Sequence, residues 1–109
     1  MSDQTPSAAG SQLGAFAPAL VEFTDRVLFG EVWTRTAEMS ARDRSLITVA
    51  ALVALNRPEQ LRFHLEKAVE NGLKPAELVE AITHLAFYAG WPMAMSAALT
   101  AKDLFAEKF

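Results

Sequence analysis

The chain has 109 residues, two histidines, no cysteine and a formal net charge of −3, from 10 Lys+Arg against 13 Asp+Glu. That length holds one domain around one core, and the absence of thiols excludes disulfides, thiolate metal sites and dithiol redox chemistry within the chain. The basic residues are scattered, so no nucleic-acid partner is expected.

Residues 1–14, rich in Ser, Ala and Gly, read as a flexible segment, and a helical domain is expected over 15–109. The start has no basic stretch followed by an apolar core, so it is not read as a secretion signal and the expected address is the cytoplasm. Phe16, Leu20, Phe23 and Val27 recur at the spacing of an amphipathic helix, which Gly30 is expected to end. Glu31 and Trp33 then fall in an expected loop. An acid beside an aromatic ring there can act as a proton donor, and the plainer alternative is a solvated carboxylate. Ser40 with Asp43 resembles a capping box at the start of a second helix running through Leu55. Within it, Leu46–Leu55 has only Thr48 as a polar residue, but it is about half the roughly 20 residues a membrane span needs, so no membrane partner is expected. Arg42 and Arg44 occupy the first turns, the unfavourable end for a cation, which points to a carboxylate partner from a neighbouring helix or a ligand.

Pro58 opens a third helix that Gly72 ends, Pro75 a fourth that Gly90 ends, and Pro92 a fifth running to about Phe105. His84, Gly90 and Pro92 interrupt the apolar stretch Ala81–Ala101, which therefore reads as two packed helices meeting at a corner. No segment alternates in the manner of a strand, so the fold class is all-α. Short links favour antiparallel neighbouring helices. The second helix is apolar almost all round, more than about 100 residues can readily hide, and a homo-oligomer is expected. The alternative is a monomer whose other helices wrap the second.

His64 and His84 are the residues best suited to chemistry. Arg57, Gln60 and His64 fall at i, i+3 and i+7 on the third helix, and Glu80, His84 and Tyr88 at i, i+4 and i+8 on the fourth. Were these helices packed neighbours, the two stripes would line a shared pocket. Imidazoles exchange protons near neutral pH, and Glu80 is placed to hold the tautomer of His84. The alternative is that each histidine is a hydrogen-bonded core residue, and that Tyr88 needs no more than one partner for its hydroxyl. No His-x-x-x-His or Glu-x-x-His spacing occurs, so no metal site is expected.

In order along the chain, Gly30-Glu31-Val32-Trp33, Arg42-Asp43-Arg44-Ser45-Leu46, His64 with Gly72 eight residues later, and Thr83-His84-Leu85-Ala86-Phe87-Tyr88-Ala89-Gly90-Trp91-Pro92 resemble the carboxymuconolactone decarboxylase family. The resemblance spans roughly Phe23 to Phe105. It implies an alkyl hydroperoxidase D-like bundle of about five to six helices that assembles as a homotrimer or homohexamer. In the dithiol branch of that superfamily, a reactive Cys-x-x-Cys precedes the histidine that His64 resembles; here those positions are Arg57 and Gln60, and the proton-relay glutamate position is Ser45. Peroxide reduction by this chain alone is thereby excluded, and the decarboxylase branch remains. After Trp33 the family often has an Arg-Pro-Gly turn, whereas this chain reads Arg35-Thr36-Ala37, which leaves the substrate open.

The implied reaction is decarboxylation of a small anionic lactone such as 4-carboxymuconolactone. Loss of carbon dioxide leaves electron density that the conjugated lactone accepts through its own carbonyl, so no cofactor is expected. The resemblance implies His64 as general acid or enolate stabiliser, His84 as its partner and Glu31 as a further catalytic residue. Arg44 or Arg57 would anchor the carboxylate, with Gln60, Tyr88 and Trp33 lining the substrate. The competing readings are a ligand-binding or scaffold protein without catalysis, and a redox role in which another chain supplies the thiols.

Overall fold

The computed structural model describes residues 12–109, so residues 1–11 of the expected flexible start lie outside the described residues. Every element among the described residues is helical: α1 (Pro18–Phe23), a π-helix (Thr24–Val32), α2 (Ala41–Ala54), α3 (Pro58–Glu70), α4 (Pro75–Tyr88) and α5 (Trp91–Lys108). None of them is long and apolar enough to cross a membrane. The chain divides at Ser40 into two compact units.

In the first unit, winding continues through Gly30 instead of stopping there. The helix widens, and the N–H of Trp33 reaches back five residues to the carbonyl of Leu28 at 2.9 Å. Gly30 fits this geometry because a Cβ on it would lie 3.1 Å from the Asp25 carbonyl oxygen, tighter than a methyl group comfortably sits. The apolar stripe predicted at Phe16, Leu20 and Phe23 is exposed, so residues 12–40 do not cover it by themselves. Arg35-Thr36-Ala37 forms a turn in which the Arg35 carbonyl accepts from the N–H groups of both Glu38 and Met39, each at 3.2 Å.

The second unit holds the core. Val49 and Val53 of α2, Leu61, Leu65 and Ala68 of α3, Leu78 and Ile82 of α4, and Ala97, Ala101 and Leu104 of α5 are buried together with Leu73. Consecutive helices α2–α3 and α4–α5 pack against each other across short links, so the chain reverses at each. The pair α3–α4 is different: each packs on α2 and α5 and not along the other. The Arg62–Glu107 and Lys108–Glu66 ion pairs, the latter at 3.3 Å, join α3 to the end of α5. α2 is thus central but not wrapped. It buries Ser45, Val49 and Val53 on one side and leaves Ile47 and Leu55 exposed on another.

Two helix ends share one device. After α3, the Leu73 N–H bonds the Ala68 carbonyl at 2.9 Å and the Gly72 N–H bonds that of Val69 at 3.1 Å, with Gly72 at φ 107°. After α2, Arg57 and Asn56 repeat the pattern onto Leu52 and Val53, with Asn56 at φ 57°. This left-handed stop satisfies carbonyls that the helix leaves open, and Asn is the non-glycine residue that tolerates it best.

Candidate functional site

His64 lies on α3, half-buried, with its Nδ1 atom buried and its ring edge-on to Phe63 at 4.9 Å between centroids. Burial, and secondarily the positive charge of Lys67 one turn on, hold its pKa below the ordinary 6.5. Its neutral form is therefore favoured at pH 7. A neutral imidazole there can accept a proton, or donate an N–H to a developing oxyanion.

Just past the end of the same helix, Asn71 Nδ2 donates to Ser45 Oγ at 2.9 Å. Ser45 is fully buried, the one polar residue so placed among the described residues. This residue is a neutral hydroxyl clamped by an amide. It ties α2 to α3 and has no carboxyl proton to pass. Asn71 was not among the residues singled out from the sequence, because its partner stands 26 residues earlier and no local pattern joins them.

The two arginines at the start of α2 differ. Arg42 Nη2 meets Glu77 Oε2 of α4 at 2.8 Å, so the carboxylate partner expected there comes from a neighbouring helix. Glu77 Oε1 in turn accepts from the Lys74 N–H at 2.9 Å, capping α4. That backbone hydrogen bond first, and the adjacent Arg42 and Lys74 charges next, outweigh partial desolvation and hold the Glu77 carboxyl below the usual range. Arg44 is half-buried, with its Nε atom buried, and its carbonyl accepts from Thr48 Oγ1 at 2.8 Å.

Arg57 and Gln60 are exposed at the start of α3. Arg57 Nη1 donates to the Leu55 carbonyl at 3.0 Å and so helps close the end of α2. Arg57 also edges a shallow surface hollow, open to solvent, with Leu52, Asn56, Leu61, Met93 and Ser96. It encloses no volume that would hold a small molecule, and neither histidine lines it.

His84 and Tyr88 are exposed on α4, their rings stacked at 4.8 Å with an interplanar angle of 25°. Glu80 makes no hydrogen bond to His84, so the tautomer role expected of it is not realised in the chain as described. The helical spacing that puts Glu80 one turn from His84 equally puts Tyr88 one turn away, and ring stacking orients the imidazole. In the first unit, Glu31 lies in the π-helix and not in a loop; it is exposed, 3.8 Å from the Arg26 guanidinium. The half-buried Trp33 ring stacks on Phe29 at 6.2 Å. No group of three or more His, Asp or Glu side chains suited to hold a metal occurs among the described residues.

The family model described as "Carboxymuconolactone decarboxylase family" matches residues 18–103. A 4-carboxymuconolactone decarboxylase of Acinetobacter baylyi is 38% identical over 95 residues, covering 87% of this chain and 70% of that protein. The nitrosuccinic acid decarboxylase npaB of Metarhizium robertsii is 32% identical over 69 residues, 63% of this chain and 48% of that protein.

Proposed function

Because the chain belongs to the carboxymuconolactone decarboxylase family, we propose that it is a cofactor-independent decarboxylase acting on a small anionic lactone such as 4-carboxymuconolactone. The observation that carries this reading is the likeness over most of the chain to one protein with that activity. The second relative, named for a different acid but the same loss of carbon dioxide, supports it. In both substrates a carbonyl or nitro group is at hand to take up the electron pair, which is why neither reaction calls for a pyridoxal or thiamine ring.

The C–C bond to the carboxylate breaks, carbon dioxide leaves, and its bonding pair moves into the conjugated lactone as an enolate. A proton then returns to carbon. The chain's part is to orient the carboxylate and stabilise the enolate oxygen. Arg44 or Arg57 holds the carboxylate, and His64, held neutral by burial and Lys67, donates its N–H to the enolate. His84 takes part in the proton return, with Gln60 and Tyr88 lining the substrate. The working domain is 15–109, in keeping with the family match across 18–103, and it assembles as a homotrimer or homohexamer.

The test is loss of lactone absorbance with purified protein. His64→Ala is expected to slow turnover at least about 100-fold, the usual scale of a lost acid–base group, while the mass of the assembly is unchanged. A wild-type rate no faster than buffer would overturn the reading for this substrate. Calorimetric binding of the lactone without product on long incubation would point to the scaffold reading.

A further inference from the structure

Asn56 and Asn71 are the chain's asparagines, and of the two only Asn71 is followed by glycine. The side-chain amide of an asparagine is open to attack by the backbone nitrogen of the next residue. Glycine, with no Cβ, hinders that attack least and leaves the backbone freest to turn into it. Arg57, which follows Asn56, crowds the same approach. The Asn71–Gly72 step is therefore where the chain is chemically weakest, and it falls on the link that ends α3.

The fold opposes the reaction in three ways at once. The five-membered ring that would form needs the Asn71 Cβ eclipsed with the Gly72 nitrogen about the Cα–C bond. At φ −90° and ψ 9° it is instead the Asn71 backbone nitrogen that is nearly eclipsed with it, and Cβ is turned away. The nucleophile is engaged, because the Gly72 N–H donates to the Val69 carbonyl at 3.1 Å. The amide under attack is engaged too, since Asn71 Nδ2 donates at 2.9 Å to Oγ of fully buried Ser45. Turning ψ towards the reactive range breaks the Gly72 and Leu73 hydrogen bonds that stop α3, so ring closure requires the cap and the side-chain clamp to open together.

We infer that Asn71–Gly72 is a latent deamidation site, kept closed by the Ser45 clamp and the α3 cap, and that local opening of this link starts a one-way chemical change. In the open form the Gly72 nitrogen bonds to Asn71 Cγ, the Cγ–Nδ2 bond breaks, and ammonia leaves with the Gly72 proton. Water then opens the succinimide: addition at Cγ gives aspartate, and addition at the main-chain carbonyl gives isoaspartate. Either product lacks the Nδ2 donor that Ser45 accepts from. Isoaspartate also routes the main chain through Cβ, adding a methylene to the link, so the Gly72 and Leu73 N–H groups no longer fall on the Val69 and Ala68 carbonyls. The tie between α2 and α3 is then lost together with the cap.

The full chain is held folded in mildly alkaline buffer and, in parallel, in denaturing guanidinium. The small mass gain of amide-to-acid conversion is placed by fragment mass, and isoaspartate is counted with isoaspartyl methyltransferase. The denatured chain should convert at Asn71 at least about tenfold faster than the folded one, whose rate is set by the population of the open link. Ser45→Ala, folded by its far-ultraviolet signal, should convert about tenfold faster than the wild type, the scale expected when a buried acceptor is removed. Asn71→Gln should show neither mass gain nor isoaspartate at this link. On the wild type alone, guanidinium below the unfolding transition should leave the rate unchanged, because a local opening exposes little surface. A rate that climbs steeply across that range would overturn the clamp as the control, as would equal rates in Ser45→Ala and wild type. A denatured chain no faster than the folded one, or conversion centred on Asn56, would overturn the site itself. None of these readouts involves turnover, so they stand apart from the decarboxylase reading.

Discussion

The α2–α3 seam and the α4–α5 corner each present one histidine, and they treat it in opposite ways. In the seam, His64 is half-buried beside a fully packed core, and the neighbouring layer is locked by the Asn71–Ser45 hydrogen bond. At the corner, His84 stands in water against another exposed ring. The seam sets the proton affinity of its imidazole within one chain, by desolvation and by Lys67. The corner leaves its imidazole exposed beside Tyr88. Identical side chains thus meet different surroundings because one neighbourhood is packed and the other is open.

The seam is where truncation should be felt most. Leu65 is fully buried beside His64, and Leu65→Ala is expected to cost about 2–5 kcal/mol in chemical unfolding, as large-to-small core changes do. A cost under about 1 kcal/mol would mean that the seam is looser than described. Ser45→Ala leaves the Asn71 amide without its buried acceptor, and about 1–2 kcal/mol is expected by the same measurement. Asn71→Ala in the Ser45→Ala background should then add little, because the pair acts as a unit.

A smaller effect concerns pH and His64. Since the folded pKa of His64 is depressed, the unfolded chain binds its proton first. The stability this group contributes is present above its ordinary 6.5 and is lost as pH falls towards and through the lowered folded value. Stability against urea should therefore decline between pH 7 and 5, and His64→Gln should flatten that slope; an unaltered slope would assign it to other groups. Smallest of all, His84→Ala is expected to change unfolding stability by no more than about 0.5 kcal/mol, as exposed positions do. A larger loss would show that the corner holds His84 more firmly than ring stacking alone.

Much of the fold was legible locally. Pro58, Pro75 and Gly72 mark helix ends where the structure has them, and with Ser40, Asp43 and Pro92 they put α2 to α5 within a few residues of their bounds. The first element was read less well: Gly30 resembles a stop, yet the missing Cβ lets the backbone widen and continue. Asn56 ends α2 in the left-handed conformation and passed unnoticed, since Asn serves many other positions equally well. At the candidate site, helical periodicity correctly put His84 and Tyr88 on one face of α4. It could not show that α3 and α4 pack on α2 and α5 instead of on each other, and that arrangement keeps the two polar stripes from meeting across a shared helix–helix groove.

The amino-acid order by itself determined the helices, the lack of thiol chemistry and the family, because these depend on spacing of a few residues, on composition and on an ordered set of motifs. Only the tertiary structure decided which helices touch, that Arg42 answers to Glu77 and Ser45 to Asn71, and that one imidazole is sheltered while the other stands open. Burial and pairing join residues far apart in the chain, and the free energy that selects those partners belongs to the packed core as a whole.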